Sequence, residues 1–200
     1  MSFLTDKEII ERVYNSDMIS PFIAEKRDEK EIRGVLRKVP SYGLSHAGYD
    51  VRLKEGFEVS YEDNTNNTEI ISILDDQYKK RFSKIEGDTC IIPAKGFMLG
   101  VTEEYIKMPN DLQALLVAKS TLIRKGLFFA PTNLEPGWEG ELVIEIFNAN
   151  PFAIELYSGI GIGQLLFAKL DTDVMIPYSG KYQGQTGIQH GKYDYPVVSL

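Results

Sequence analysis

The chain has few of the residues that bind metals or form cross-links. Its 200 residues contain one cysteine, Cys90, so no internal disulfide can form. Two histidines, His46 and His190, are the only other residues of the Cys/His kind that zinc favours. Neither the roughly four Cys or His ligands of a structural zinc site nor the His, Glu and Cys-pair set of a hydrolytic zinc site can be assembled from them. Lys and Arg number 22 against 29 Asp and Glu, a net charge of -7, and no long basic stripe interrupts that balance. General nucleic-acid binding is thereby excluded, and any anionic ligand must be met by a local group of cations. No run approaches the ~18 apolar residues of a membrane span, and "MSFLTDKEIIERVY" is too charged for a secretory leader, so a cytoplasmic protein without a membrane partner is expected. Internal repeats and low-complexity linkers are also missing.

What is present is an ordinary globular composition, 43% hydrophobic and 26% charged. It suffices for one well-buried core, and a single domain over 1–200 is expected. Thr5 to Glu8 has capping-box spacing ahead of Ile9, Ile10 and Val13, which predicts a short N-terminal helix. "AEKRDEKEIRGVLRKVP" (24–40) is charged, with weak helical spacing, and reads as a helix or an exposed excursion. Short apolar or alternating runs follow at 48–53, 56–61, 69–74, 89–94, 97–102, 114–118, 141–148, 153–157 and 163–170, divided by turn chemistry such as "IEGD" and "MPND". So many short strands predict a mainly β chain, a distorted barrel or jelly-roll-like double sheet with a few short helices.

Two stretches carry chemistry. In "GELVIEIFNAN" (140–150) a charged Glu145 stands among apolar neighbours. Period-2 alternation puts it on one face with Glu141, Val143 and Phe147, and Leu142, Ile144 and Ile146 on the other. That pattern fits a solvent-facing carboxylate as well as a functional one. In "AKSTLIRKGLFF" Ser120 is placed to cap a short helix, Arg124 lies one turn on along the same face, and Gly126 supplies a stop. Hydroxyls, free amides and cations there make a workable phosphate cradle, and equally an ordinary capped surface helix.

Taken in order, "AKSTLIRKG", "TNLEPGWEG", "ELVIEIFN", "GIGQLLF" and "GKYQGQTG" resemble the dCTP deaminase family, a branch of the dUTPase-like fold, most closely over 118–187. The resemblance implies a homotrimer of distorted β-barrels with active sites at subunit interfaces, each binding dCTP with Mg²⁺ on its triphosphate and using no zinc. Glu145 then matches the general acid/base that takes a proton from water and passes it to the pyrimidine as ammonia leaves C4. Partial burial would raise its carboxyl toward working pH.

The resemblance assigns further roles. Ser120 and Arg124 match catalytic residues close to the water and the phosphates. Lys119 stands where many members have arginine, keeping the charge but not the planar fork, and Thr121 where a second serine is frequent. Glu135 matches the acid that bonds the deoxyribose 3'-OH, Trp138 lies in the segment beside the base, and Val143, Ile144 and Gln164 fall at substrate-binding positions. Tyr178, Lys181 and Gln185 match a C-terminal segment, about 175–200, that folds over the triphosphate as a lid, with glycines at 180, 184 and 187. Without the family, the Pro-Gly-Trp is a hairpin turn, Gln164 a strand amide and the tail a frayed end.

Members divide into those that release dUTP and those that also cleave it to dUMP and pyrophosphate. The first is the expectation and the second the alternative, with a nucleotide-binding module that has lost turnover behind both. "EPGWEG" departs from the "DxGYxG" of dUTPases, which have no need of Glu145. Feedback by dTTP is a further implication.

Overall fold

The computed structural model describes residues 2–60 and 70–192; the stretch 61–69 and the last eight positions of the expected lid lie outside the described residues. The first strands in chain order are β1 (Ser2–Phe3), β2 (Ile19–Ser20), β3 (Arg27–Ile32), β4 (Val35–Ser45), β5 (Gly48–Arg52), β6 (Phe57–Ser60), β7 (Phe82–Ile85) and β8 (Thr89–Ile92). They continue as β9 (Phe97–Lys107), β10 (Leu112–Ala118), β11 (Leu127–Phe129), β12 (Thr132–Leu134), β13 (Glu139–Asn148), β14 (Ile154–Tyr157) and β15 (Gly161–Lys169). Helices α1 (Asp6–Ser16) and α2 (Ser120–Ile123) and a 3-10 helix (Asp76–Arg81) complete the set. None is long and apolar enough to cross a membrane.

The expectation of a mainly β chain with few helices holds in its double-sheet form. One sheet runs β12-β10-β15-β5-β4-β3, with β1 also on β15; the other runs β11-β13-β9-β6-β7, with β2 on β9; β14 and β8 form a small third sheet. An isolated bridge between Leu53 and Thr102 links the two large sheets. Their inner faces share one core, in which Tyr49, Leu116 and Phe167 of the first sheet meet Phe57, Met98 and Ile144 of the second. This burial is the main stabilising term, because each strand turns every other side chain inward.

Local signals explain several elements. At α1 the Thr5 hydroxyl accepts the Glu8 amide and the Glu8 carboxylate accepts the Thr5 amide at 2.8 Å, as the spacing predicts, and Ile9 and Val13 face the core. The charged stretch 24–40 is instead a β3–β4 hairpin. Its two-residue turn, Arg33 and Gly34, has φ of 54° and 75°, the backbone a tight hairpin needs. Only Ile32 of β3 is buried, so hydrophobic alternation was too thin to read. The apolar run at 69–74 forms no strand over 70–74; Ile70 and Ile73 lie 95% and 77% exposed ahead of the 3-10 helix.

Candidate active site

β13 pairs with β9 on one side and β11 on the other, and a register shift between Glu141 and Val143 bends it. Leu142, Ile144, Ile146 and Asn148 point into the core, while Val143, Glu145 and Phe147 leave by the outer face. The carboxylate in the apolar strand is therefore on the outside, but not in open water.

Residues 174–192 return along this face. Gln185 forms a parallel bridge with Gly140; its carbonyl accepts the Glu141 amide at 2.9 Å and its side-chain amide donates to the Glu141 carbonyl at 2.9 Å. The Gly187 amide donates to the Glu141 carboxylate at 2.7 Å, and Lys54 holds that carboxylate from the other side at 2.6 Å. The Trp138 indole N–H donates to the Tyr182 carbonyl at 3.0 Å. Gly140 permits the approach: at its φ of 152° an added Cβ would stand 2.9 Å from the Gln185 carbonyl oxygen.

A cavity of about 360 Å³ remains between strand and segment, with Val143 and Glu145 in its floor and Tyr178, Tyr182, Gln185 and Gln189 above them. Trp138 and the exposed Glu135 complete it, along with Thr132, Asn133 and His190, which sequence reasoning did not single out. Burial pushes the Glu145 carboxyl above its usual range, opposed only in part by its own backbone amide. No other side chain among the described residues bonds to it. A desolvated carboxyl without a cation holds its proton more tightly and titrates nearer neutrality, as a proton-transfer group requires.

The structure thus places Glu135, Trp138, Val143, Glu145, Tyr178 and Gln185 around one cavity. Ile144 is 1% exposed, faces the core and does not border the cavity, so it is a packing group rather than the substrate contact expected of it. Lys181 points away: its ammonium bonds the Lys192 carbonyl and lies 5.4 Å from the Tyr182 ring centroid.

The second motif lies elsewhere within this chain. The N-cap of α2 is Lys119, with no side-chain cap bond, rather than Ser120, whose amide already lies in the first turn. Gly126, at φ 78°, ends the helical turn as expected. Ser120, Thr121 and Arg124 are exposed and none borders the Glu145 cavity. Lys119 and Thr121 instead line a second cavity of about 630 Å³ with Lys26, Lys38 and Lys125.

Lys119 and Gln164 also serve a residue that sequence reasoning passed over. Asp50 is fully buried; Lys119 Nζ lies 2.5 Å from it, and the Gln164 amide and Ser41 hydroxyl donate to it at 3.0 and 3.2 Å. A charge inside the apolar "GYDVRL" was the available signal. Cys90 is buried in the core, its thiol pushed up to about 12, so at neutral pH it stays protonated and inert.

Comparison with known proteins gives consistent results. A family model described as dCTP deaminase-like matches residues 18–170. The dCTP deaminase of Sulfurovum sp. (strain NBC37-1) is 39% identical over 192 residues, covering 94% of this chain and 95% of that protein. The dCTP deaminase of Chlamydia pneumoniae is 38% identical over 193 residues, covering 94% and 97%. Among solved structures, the 2'-deoxycytidine 5'-triphosphate deaminase of Agrobacterium tumefaciens superposes with a TM-score of 0.54 at 14% identity, a likeness of fold that covers 82% of this chain and 47% of that one.

Proposed function

Because this chain belongs to the dCTP deaminase-like family, we propose that it is a cytoplasmic enzyme that hydrolyses dCTP to dUTP and ammonia without zinc, with Glu145 as general acid/base. The observation that carries the reading is Glu145 itself: a desolvated carboxyl, bonded by no side chain among the described residues, in the floor of a cavity roofed by aromatic and amide side chains. As the carboxylate it takes a proton from water, and the water oxygen bonds to C4 of the cytosine. Glu145 returns this proton to ring N3 and then carries the proton of the new C4 hydroxyl to the 4-amino group; the C4–N bond breaks, and ammonia departs with the 4-oxo ring left behind. Positioned proton transfer of this kind contributes about 10²- to 10⁴-fold.

The remaining residues bind and orient. Trp138 packs beside the base and Glu135 at the rim takes the deoxyribose 3'-OH. The segment bearing Tyr178 and Gln185 closes over the nucleotide. Among the described residues no three His, Cys, Asp or Glu side chains converge on a metal, so Mg²⁺ would be carried by the triphosphate oxygens, as suits a cation that keeps phosphate and water ligands. Bound there it would neutralise part of the phosphate charge.

Ser120 and Arg124 reach the site from a neighbouring subunit of a homotrimer. Two features support this: the two motifs are apart within one chain, and the cross-strand pair Phe128 and Phe147 leaves 48% and 41% of its surface exposed on the Glu145 side of β13. The pocket also suits dTTP, which shares the deoxyribose and triphosphate, as a feedback inhibitor.

Incubation with dCTP and Mg²⁺, following ammonia, dUTP, dUMP and pyrophosphate, tests the reading. Ammonia with dUTP is expected; ammonia with dUMP makes the enzyme bifunctional, and binding without product removes the catalytic role.

A further inference from the structure

The outer face of the second sheet carries a row that starts at Glu145. Glu145 and Leu99 are register partners across β13 and β9, and Leu99 and Glu58 across β9 and β6. Directly opposed residues share a face, so Glu58 stands two strand spacings, about 10 Å, from Glu145.

What Glu58 meets is His190, Nε2 to Oε2 at 2.6 Å, with side chains 13% and 15% exposed. The imidazole packs edge-on against Phe82 and Tyr78, with ring centroids 5.0 and 5.6 Å away. The Tyr78 hydroxyl donates to the Gly191 carbonyl at 3.4 Å. His190 Nδ1 is buried without a hydrogen-bond partner, so the polar commitment of this ring among the described residues is to Glu58 alone. Hydrogen bonds to a charged group, shielded from water, hold far better than exposed ones. Tyr178, Tyr182, Gln185 and Gln189, the roof of the cavity, all precede this tie in the chain.

We propose that Glu58 and His190, walled by Tyr78 and Phe82, form the catch that keeps the C-terminal segment shut over the Glu145 cavity, which makes His190 a positioning residue for the nucleotide. The substrate named in the test rests on the deaminase reading; the catch rests on the geometry. A segment already closed spares the nucleotide the work of closing it. Loss of the catch therefore appears in KM, while saturating nucleotide restores the closed form and spares kcat.

Trp138 is the only tryptophan in the chain, and its bond to Tyr182 lets its emission report docking of the segment without substrate. In the full-length protein, His190→Ala and Glu58→Ala are each expected to shift that emission to the red and to speed tryptic cleavage after Lys181. Each should raise KM for dCTP about tenfold with kcat within about twofold. His190→Gln, which keeps a donor for Glu58, should recover most of the loss, and the double alanine variant should be no worse than either single one. Unchanged emission, cleavage and KM in both alanine variants overturn the catch. Emission and cleavage are read without nucleotide, so their change in a chain that never turns over dCTP would sink the deaminase reading and leave the catch standing.

Discussion

Asp50 and Glu145 are carboxylates set into apolar strands of different sheets, and their surroundings differ in every respect that sets a charge. Asp50, on β5, is fully buried and matched by a lysine, an amide and a hydroxyl. Glu145, on β13, faces a cavity, and no side chain among the described residues bonds to it. A carboxylate with a full set of partners is committed to the fold. One that is desolvated without them keeps its proton affinity high and stays available to a ligand. The same contrast divides the family motifs: Lys119 and Gln164 stand on the Asp50 side, where removing them unbalances the interior.

The largest effect should come from removing the available carboxylate. Glu145→Gln is expected to lower deamination by at least about 10³-fold while dCTP binding measured by calorimetry stays within a few-fold; retained turnover would take Glu145 out of the reaction. On the Asp50 side, Lys119→Met should cost about 3 kcal/mol of stability in urea unfolding, because it leaves a buried charge without its ion pair. A loss comparable to that of a surface substitution would mean that the Lys119–Asp50 pair does not hold the fold.

Mixing connects the two regions. If Glu145 and Arg124 reach one site from different subunits, equal amounts of inactive Glu145→Gln and Arg124→Ala proteins, unfolded and refolded together, should recover about a quarter of the activity by random assembly into a symmetric trimer. No recovery would place both residues in one subunit's share of the site.

The smallest effects concern pH. Because burial raises the Glu145 carboxyl, turnover should fall on the acid side with a midpoint above the ordinary glutamate value. For stability the sign is the opposite of that for a salt-bridged acid. The folded group binds its proton more tightly than the unfolded one, so its contribution is full below the unfolded value and is lost as pH rises through the folded value. Glu145→Gln should therefore unfold at a slightly higher temperature than the parent near pH 8, by on the order of 0.5 kcal/mol, and the gain should vanish near pH 4.

The sequence shows the site more clearly where a motif and a local rule coincide. The capping box at Thr5, the Gly126 stop and the two faces of β13 follow from spacing alone, and the structure has all three. The β3–β4 hairpin was hidden because its strands bury almost nothing, and periodicity reports only burial. Ser120 suits a cap by its residue type, whereas the chain enters α2 one residue earlier, at Lys119. Ile144 was expected at the ligand from the motif, although alternation already turned it inward. Glu58 and His190 are 132 positions apart, and only pairing through β9 and the return of the C-terminal segment bring them together. No local pattern carries that information.

The seven-stranded sheet has one more consequence, for synthesis. β15, the last strand among the described residues, lies between β10 and β5 and also receives β1, so residues 2–3 pair with 168–169. Until residue 169 has left the ribosome, the strands on its two sides have no common neighbour, and the first sheet exists only as separate hairpins with bare edges. The nascent chain must remain soluble in that state through most of its translation. A ribosome that stalls before β15 would release a product with open sheet edges, fit for chaperones or proteases rather than for assembly.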